Sequence, residues 1–166
     1  MAKKKKTKNN SQNKFLCYLP LLFAVLTVAM IFLVAVVGTG KLFGSESQLS
    51  GLEVVFGMKE TTTVFGKEIT TEILKFSILG LVAYLLPLVA GLVAPVLKNK
   101  IGYLLSALLF LAGAVLLFMM PNFVVFATEQ TLKVVELSLG IGSILAGVFA
   151  GLGALVSGYA FLTSKK

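Results

Sequence analysis

The chain contains no His, no Trp, no Asp and no Arg, so all fifteen of its cations are Lys and all seven of its acids are Glu. Those absences remove whole classes of chemistry from a single chain. A His-dependent catalytic triad, an HExxH zinc helix, an aspartyl dyad and an arginine finger each need a residue type that is not there. One cysteine, Cys17, permits no internal disulfide, no CxxC redox pair and no thiolate metal cage. Charge is scarce as well: charged residues make up 13% of the 166, hydrophobic residues 57%, and mean hydropathy is +0.96. A water-soluble domain is not that apolar. The expectation is an integral membrane protein that is not an enzyme, with no cofactor and no bound metal.

What is present is long hydrophobic runs. A helix that spans a hydrocarbon core roughly 30 Å thick needs about 20 apolar residues. Four charge-free runs are candidates: Phe15 to Val37, Phe76 to Leu97, Ile101 to Met120, and Leu137 to Leu162. In lipid the backbone of such segments is satisfied only by a helix or a closed barrel, and their Leu, Ala and Gly content selects helix. The expected fold class is therefore an all-α bundle of four transmembrane helices with a small β-hairpin in the first outer loop. Its parts are a tail at 1–14, spans at 15–37, 76–97, 101–120 and 137–162, outer loops at 38–75 and 121–136, an inner turn at 98–100 and an inner tail at 163–166. A cleaved signal peptide is the rival reading of the first run. The run is too long for a signal core and no A-x-A site follows it, which favours an uncleaved anchor.

Lysine placement predicts orientation, because short cytoplasmic loops carry the excess of positive charge. Lys3, Lys4, Lys5, Lys6, Lys8, Lys14, Lys98, Lys100, Lys165 and Lys166 fall on one side with no acid among them. Lys41, Lys59, Lys67, Lys75 and Lys133 share the other side with every Glu in the chain. Both termini are thus expected in the cytoplasm of a plasma-membrane, multi-pass protein, with Tyr18, Tyr103 and Tyr159 near the inner interface. The net +8 records orientation rather than nucleic-acid binding, since no aromatic residues interleave the basic run. Lys3 to Lys6 are topology determinants that also attract anionic lipid. Exclusive use of Lys over Arg fits an AT-rich bacterial genome.

In the first outer loop, Leu52 to Phe56 and Thr61 to Phe65 are short β-branched and aromatic runs separated by the turn-like Gly57 to Glu60. That pattern predicts a hairpin. It acts either as a lid on the bundle or, through Phe56 and Phe65, as a docking surface for an outside partner. The second outer loop carries Phe123 to Phe126, which supplies a third strand or prolongs the third helix. Val-Val-Phe recurs at Val54 and Val124, yet the flanking offsets disagree, so an internal duplication is not supported.

The last span carries a face of small residues: Gly142, Ala146, Ala150, Ala154 and Gly158 at every fourth position, with Ser143, Gly147 and Gly151 alongside. Lipid supplies no hydrophobic drive between helices, so close approach over small residues is a principal route to association. This face is expected to pack against neighbours within the bundle, against a second copy, or against another membrane protein. Pro87 removes a backbone bond in mid-span and predicts a kink. Tyr84, one turn earlier, is expected to seek a partner such as a freed carbonyl, and Thr27, Ser106 and Ser143 to bond back onto their own helices. Cys17 reads as a small packing residue.

Size and span count resemble the small multidrug resistance transporters, but the first span lacks the membrane-embedded Glu on which that family depends. Four spans, inner termini and a longer, β-containing first outer loop resemble the claudin-like tetraspan architecture in topology. The loop has neither that family's paired cysteines nor its tryptophan motif, so no site residues carry over. The functional expectation is a non-enzymatic accessory or scaffold subunit whose partners are the bilayer and itself or another membrane protein. The alternative is a small oligomeric channel or permease for neutral or apolar solutes.

Overall fold

The structure, a computed structural model, describes residues 18–40, 46–64, 67–97, 99–127 and 135–164. The segments read from Lys3 to Cys17, together with Phe65, Lys98, Glu129, Lys133 and the last two lysines, lie outside the described residues. The fold is mostly helical with a small β region. Among the described residues three helices are long and apolar enough to cross a membrane: α3 (Ile78–Leu97), α4 (Lys100–Phe118) and α5 (Ile141–Thr163). The described part of the first helix, α1 (Tyr18–Phe32), is apolar but shorter.

α1 tightens to a 3-10 turn at Met30–Phe32, and Leu33 is already extended. The chain then enters β1 (Val34–Gly40), the centre of a three-stranded antiparallel sheet. β2 (Glu46–Ser50) lies on one side and β5 (Val135–Leu139) on the other. Val36 stands opposite Leu49 and Leu139, so segments far apart in the chain are tied together beside the helices. This corrects two span boundaries. Val34 to Val37 belong to a strand rather than to the first helix, and Leu137 to Leu139 to a strand rather than to the last. A buried central strand reads as a continuous apolar run, which hydropathy cannot separate from helix; the β-branched Val34, Val36 and Val37 favour the strand.

A second correction falls on Leu52 to Phe56, which is not a strand but the helix α2 (Gly51–Phe56). Ser50 caps it: its hydroxyl accepts from Glu53 N at 3.3 Å, while the Glu53 carboxylate accepts from Ser50 N at 2.7 Å. That reciprocal pair is a capping box, and its S-x-x-E signature is visible in the sequence. Gly57 ends the helix at φ +84°, and an added Cβ there would lie 2.6 Å from the Leu74 carbonyl oxygen. Six residues cannot sustain a helix alone. α2 is held by its neighbours, with Gly51 N donating to Leu33 O and Ser77 N donating to Val55 O.

The hairpin exists, one strand further on than expected. β3 (Met58–Val64) pairs with β4 (Lys67–Leu74), placing Thr61 opposite Thr70 and Lys59 opposite Glu72. The Lys59–Glu72 ion pair, 3.8 Å apart and well exposed, contributes little to stability. The second loop does supply strand structure. Lys75 N donates to Val125 O and Ala127 N to Ile73 O, so this segment edges β4, while β5 joins β1.

Among the described residues every Glu lies in β2, α2, β3, β4 or β5, at the strand end of the molecule, while Lys100 starts α4 at the opposite end. α4 packs between α3 and α5. The core beneath the strands is built from Phe110, Leu117 and Met120 with Ala83, Ala90, Ala114, Ala146 and Ala150, all closely packed. Outward, large apolar side chains such as Leu85, Leu92, Leu108, Leu111, Val148 and Leu155 are exposed along all three long helices.

Candidate functional site

α5 begins at the sheet, where Gly142 abuts Leu33 and the Val34 backbone. Gly142, Ser143, Ala146, Gly147 and Ala150 are buried as the small-residue row requires. Ala154 is only half-buried, and Gly151 and Gly158 meet nothing within 4 Å among the described residues. Four residues advance an α-helix by about 400°, so a strict every-fourth row slews by roughly 40° per step and leaves the interface. Burial continues instead through Gly153, Ser157 and Ala160, which alternate steps of three and four with the upper residues. That spacing is the seam of a left-handed helix pair. The sequence carries it plainly, but the every-fourth glycines and alanines obscured it.

The small-residue face is therefore two surfaces. On one, aromatic rings of α4 fill the space: Phe118 against Gly147 and Phe110 against Gly153. An added Cβ at Gly153 would lie 2.7 Å from a Phe110 ring carbon. The other surface, at Gly151 and Gly158, is open and flanked by the exposed Val148, Leu155 and Leu162.

Pro87 faces inward. Its ring is fully buried, and a Cβ on Gly113 of α4 would meet it at 2.6 Å, so the proline is a packing element rather than the wall of a cavity. α3 runs as helix through both Pro87 and Pro95.

The hydroxyls divide into three groups. Thr27 Oγ1 donates to Phe23 O on its own helix at 2.8 Å. Ser106 departs from the expectation: its hydroxyl donates to Ala90 O of α3 at 2.7 Å and lies 3.1 Å from Ser157 Oγ of α5, linking three helices. Back-bonding fails here because small residues bring the neighbouring backbone within reach. Tyr84 Oη and Ser143 Oγ are buried near each other, and neither meets hydrogen-bonding geometry with any group among the described residues. Neither the partner expected for Tyr84 nor the back-bond expected for Ser143 is found among the described residues.

Phe56 is exposed at the end of α2, and its ring pairs with that of Phe76, centroids 6.3 Å apart and planes tilted by 43°. Phe76 was not singled out from the sequence; it stands just past β4, where no motif marks it. Of the other tyrosines, Tyr18 and Tyr159 are exposed, while Tyr103 is buried with Ala94 and Ala160. Among the described residues no three His, Cys, Asp or Glu side chains gather as a metal would require. No protein-family model, no curated protein and no solved structure matches the chain.

Proposed function

We propose that the chain is a four-span membrane protein, α1 being the first span, with the strand end outside the cytoplasm and both termini within it. On this reading it serves as a non-enzymatic accessory or scaffold subunit, seating another membrane helix on α5 and presenting its outer strands to a partner. The observation that carries the proposal is the divided face of α5. The spaces beside its inward glycines are filled by Phe118 and Phe110, whereas no described residue covers Gly151 and Gly158, which lie on a surface of exposed Val, Leu and Ile side chains. Small residues that no side chain fills are where a second helix approaches closely. The filled interior weighs against a pore within one copy, because Phe110, Leu117, Pro87 and the alanines close the space between the helices.

A photo-crosslinking residue at Gly151, compared with one at the exposed Leu111 of α4, tests this in native membranes. The expected result is one discrete adduct with a different membrane protein from position 151 and none from position 111. An adduct with a second copy favours the oligomeric channel or permease. No adduct at either position refutes the docking face.

A further inference from the structure

We propose that Phe56 and Phe76 form a lipid anchor, a paired aromatic wedge that seats α2 at the boundary between headgroups and acyl chains and holds the β3–β4 hairpin over the membrane surface. Both rings are about half exposed, at 59% and 49%, although they touch each other. They cannot withdraw, because the backbone on either side is fixed. The capping box and the bond from Gly57 N to Glu53 O hold α2, and the bond from Ser77 N to Val55 O ties the residues beside the two phenylalanines together. Val54 and Val55 fill the inward face of α2, which leaves Phe56 on the outward one.

Continuity identifies the occupant. Phe76 leads into α3, whose first exposed residues, Ile78 and Leu79, continue the apolar surface toward Leu85. Phe32 and Leu33 at the end of α1 and Ile141 at the start of α5 are exposed at the same end of the molecule. The phenylalanine pair is thus the upper margin of the surface that the long helices turn toward lipid. Lys75, exposed beside Phe76, is placed as a snorkelling cation at such a margin. A short helix with one apolar edge, lying where the hydrocarbon ends, has the form of an interfacial element.

The inference rests on the reading of the chain as membrane-spanning, and the test separates the two. Because the protein has no Trp, each of Phe56→Trp, Ile141→Trp and Thr70→Trp carries a single indole. The full-length variants are reconstituted in phosphatidylcholine vesicles, with and without lipid brominated high on the acyl chain, and titrated with iodide. Phe56→Trp is expected to lose as large a share of its emission to bromolipid as Ile141→Trp and to resist iodide, while Thr70→Trp behaves in the opposite way. Quenching of Phe56→Trp by iodide places the ring in water, and protection from both quenchers places it under protein; either overturns the anchor. If Ile141→Trp also ignores bromolipid, the membrane reading falls and the anchor with it. Phe76→Trp reports on the same pair should Phe56→Trp fail to fold.

Discussion

Adding one methyl group to α5 has opposite consequences at two glycines only two residues apart. At Gly153 the new Cβ would lie 2.7, 2.8 and 2.9 Å from three ring carbons of Phe110. Carbon atoms pack at about 3.5–4.0 Å, so the ring or the helix must yield by close to 1 Å. Phe110, on α4, is fully buried and cannot swing out into solvent without leaving the core. Overpacking of this kind costs about 1–3 kcal/mol. At Gly151 the same methyl meets nothing within 4 Å among the described residues. Both changes gain the same helix propensity, about 1 kcal/mol for Ala over Gly, so comparing the two variants cancels that gain. Gly153→Ala is therefore expected to be about 1–3 kcal/mol less stable than Gly151→Ala. For a chain of this size that is a difference of roughly 2–12 °C in melting temperature, read by circular dichroism in detergent. Equal melting temperatures would refute the packing of Phe110 on Gly153 and, with it, the division of the α5 face.

Three further outcomes follow from the hydrogen bonds. Ser106→Ala removes the donor to Ala90 O and the neighbour of Ser157, and is expected to cost about 1 kcal/mol, the scale of buried polar contacts between membrane helices. In a thermal-unfolding double-mutant cycle with Ser157→Ala, the two losses should not add; full additivity would dissolve the three-helix link. Tyr84→Phe deletes a buried hydroxyl that has no partner among the described residues and should leave stability unchanged or raise it by up to about 1–3 kcal/mol, whereas a clear loss in the same melt would reveal a partner for that hydroxyl. Ser50→Ala removes the cap of α2 at an expected cost of about 0.5–2 kcal/mol, with faster amide exchange confined to Glu53 and its neighbours. Unaltered exchange there would show that tertiary contacts alone hold α2.

The three long helices were legible because a charge-free apolar run has few structural options. Their outer ends were not. Val34 to Val37 and Leu137 to Leu139 continue the hydropathy of the helices they adjoin, and only pairing between segments far apart in the chain turns them into neighbouring strands. α2 shows a different situation, in which two local signals conflict. Ser50 and Glu53 announce a helix start, but the β-branched composition of Leu52 to Phe56 speaks for a strand, and the cap together with burial of Val54 and Val55 decides the contest. The small-residue face of α5 was visible as composition, whereas its direction required the period. Gly158 belongs to the every-fourth row yet faces away from Gly142, while Gly153 and Ser157, off that row, face the core. Phe76 had no signal at all, because its role comes from the neighbour that α2 brings to it.

The central claim, that the chain crosses the bilayer four times with its strands outside, is tested most directly by accessibility of single cysteines. With Cys17 replaced by Ser, the variants Ser11→Cys, Thr70→Cys and Ser164→Cys are each treated with a membrane-impermeant maleimide on intact cells and again after permeabilisation. The account predicts labelling of Thr70→Cys on intact cells, and of Ser11→Cys and Ser164→Cys only once the membrane is opened. Labelling of Ser11→Cys and Ser164→Cys from opposite sides would mean an odd number of crossings and would contradict it.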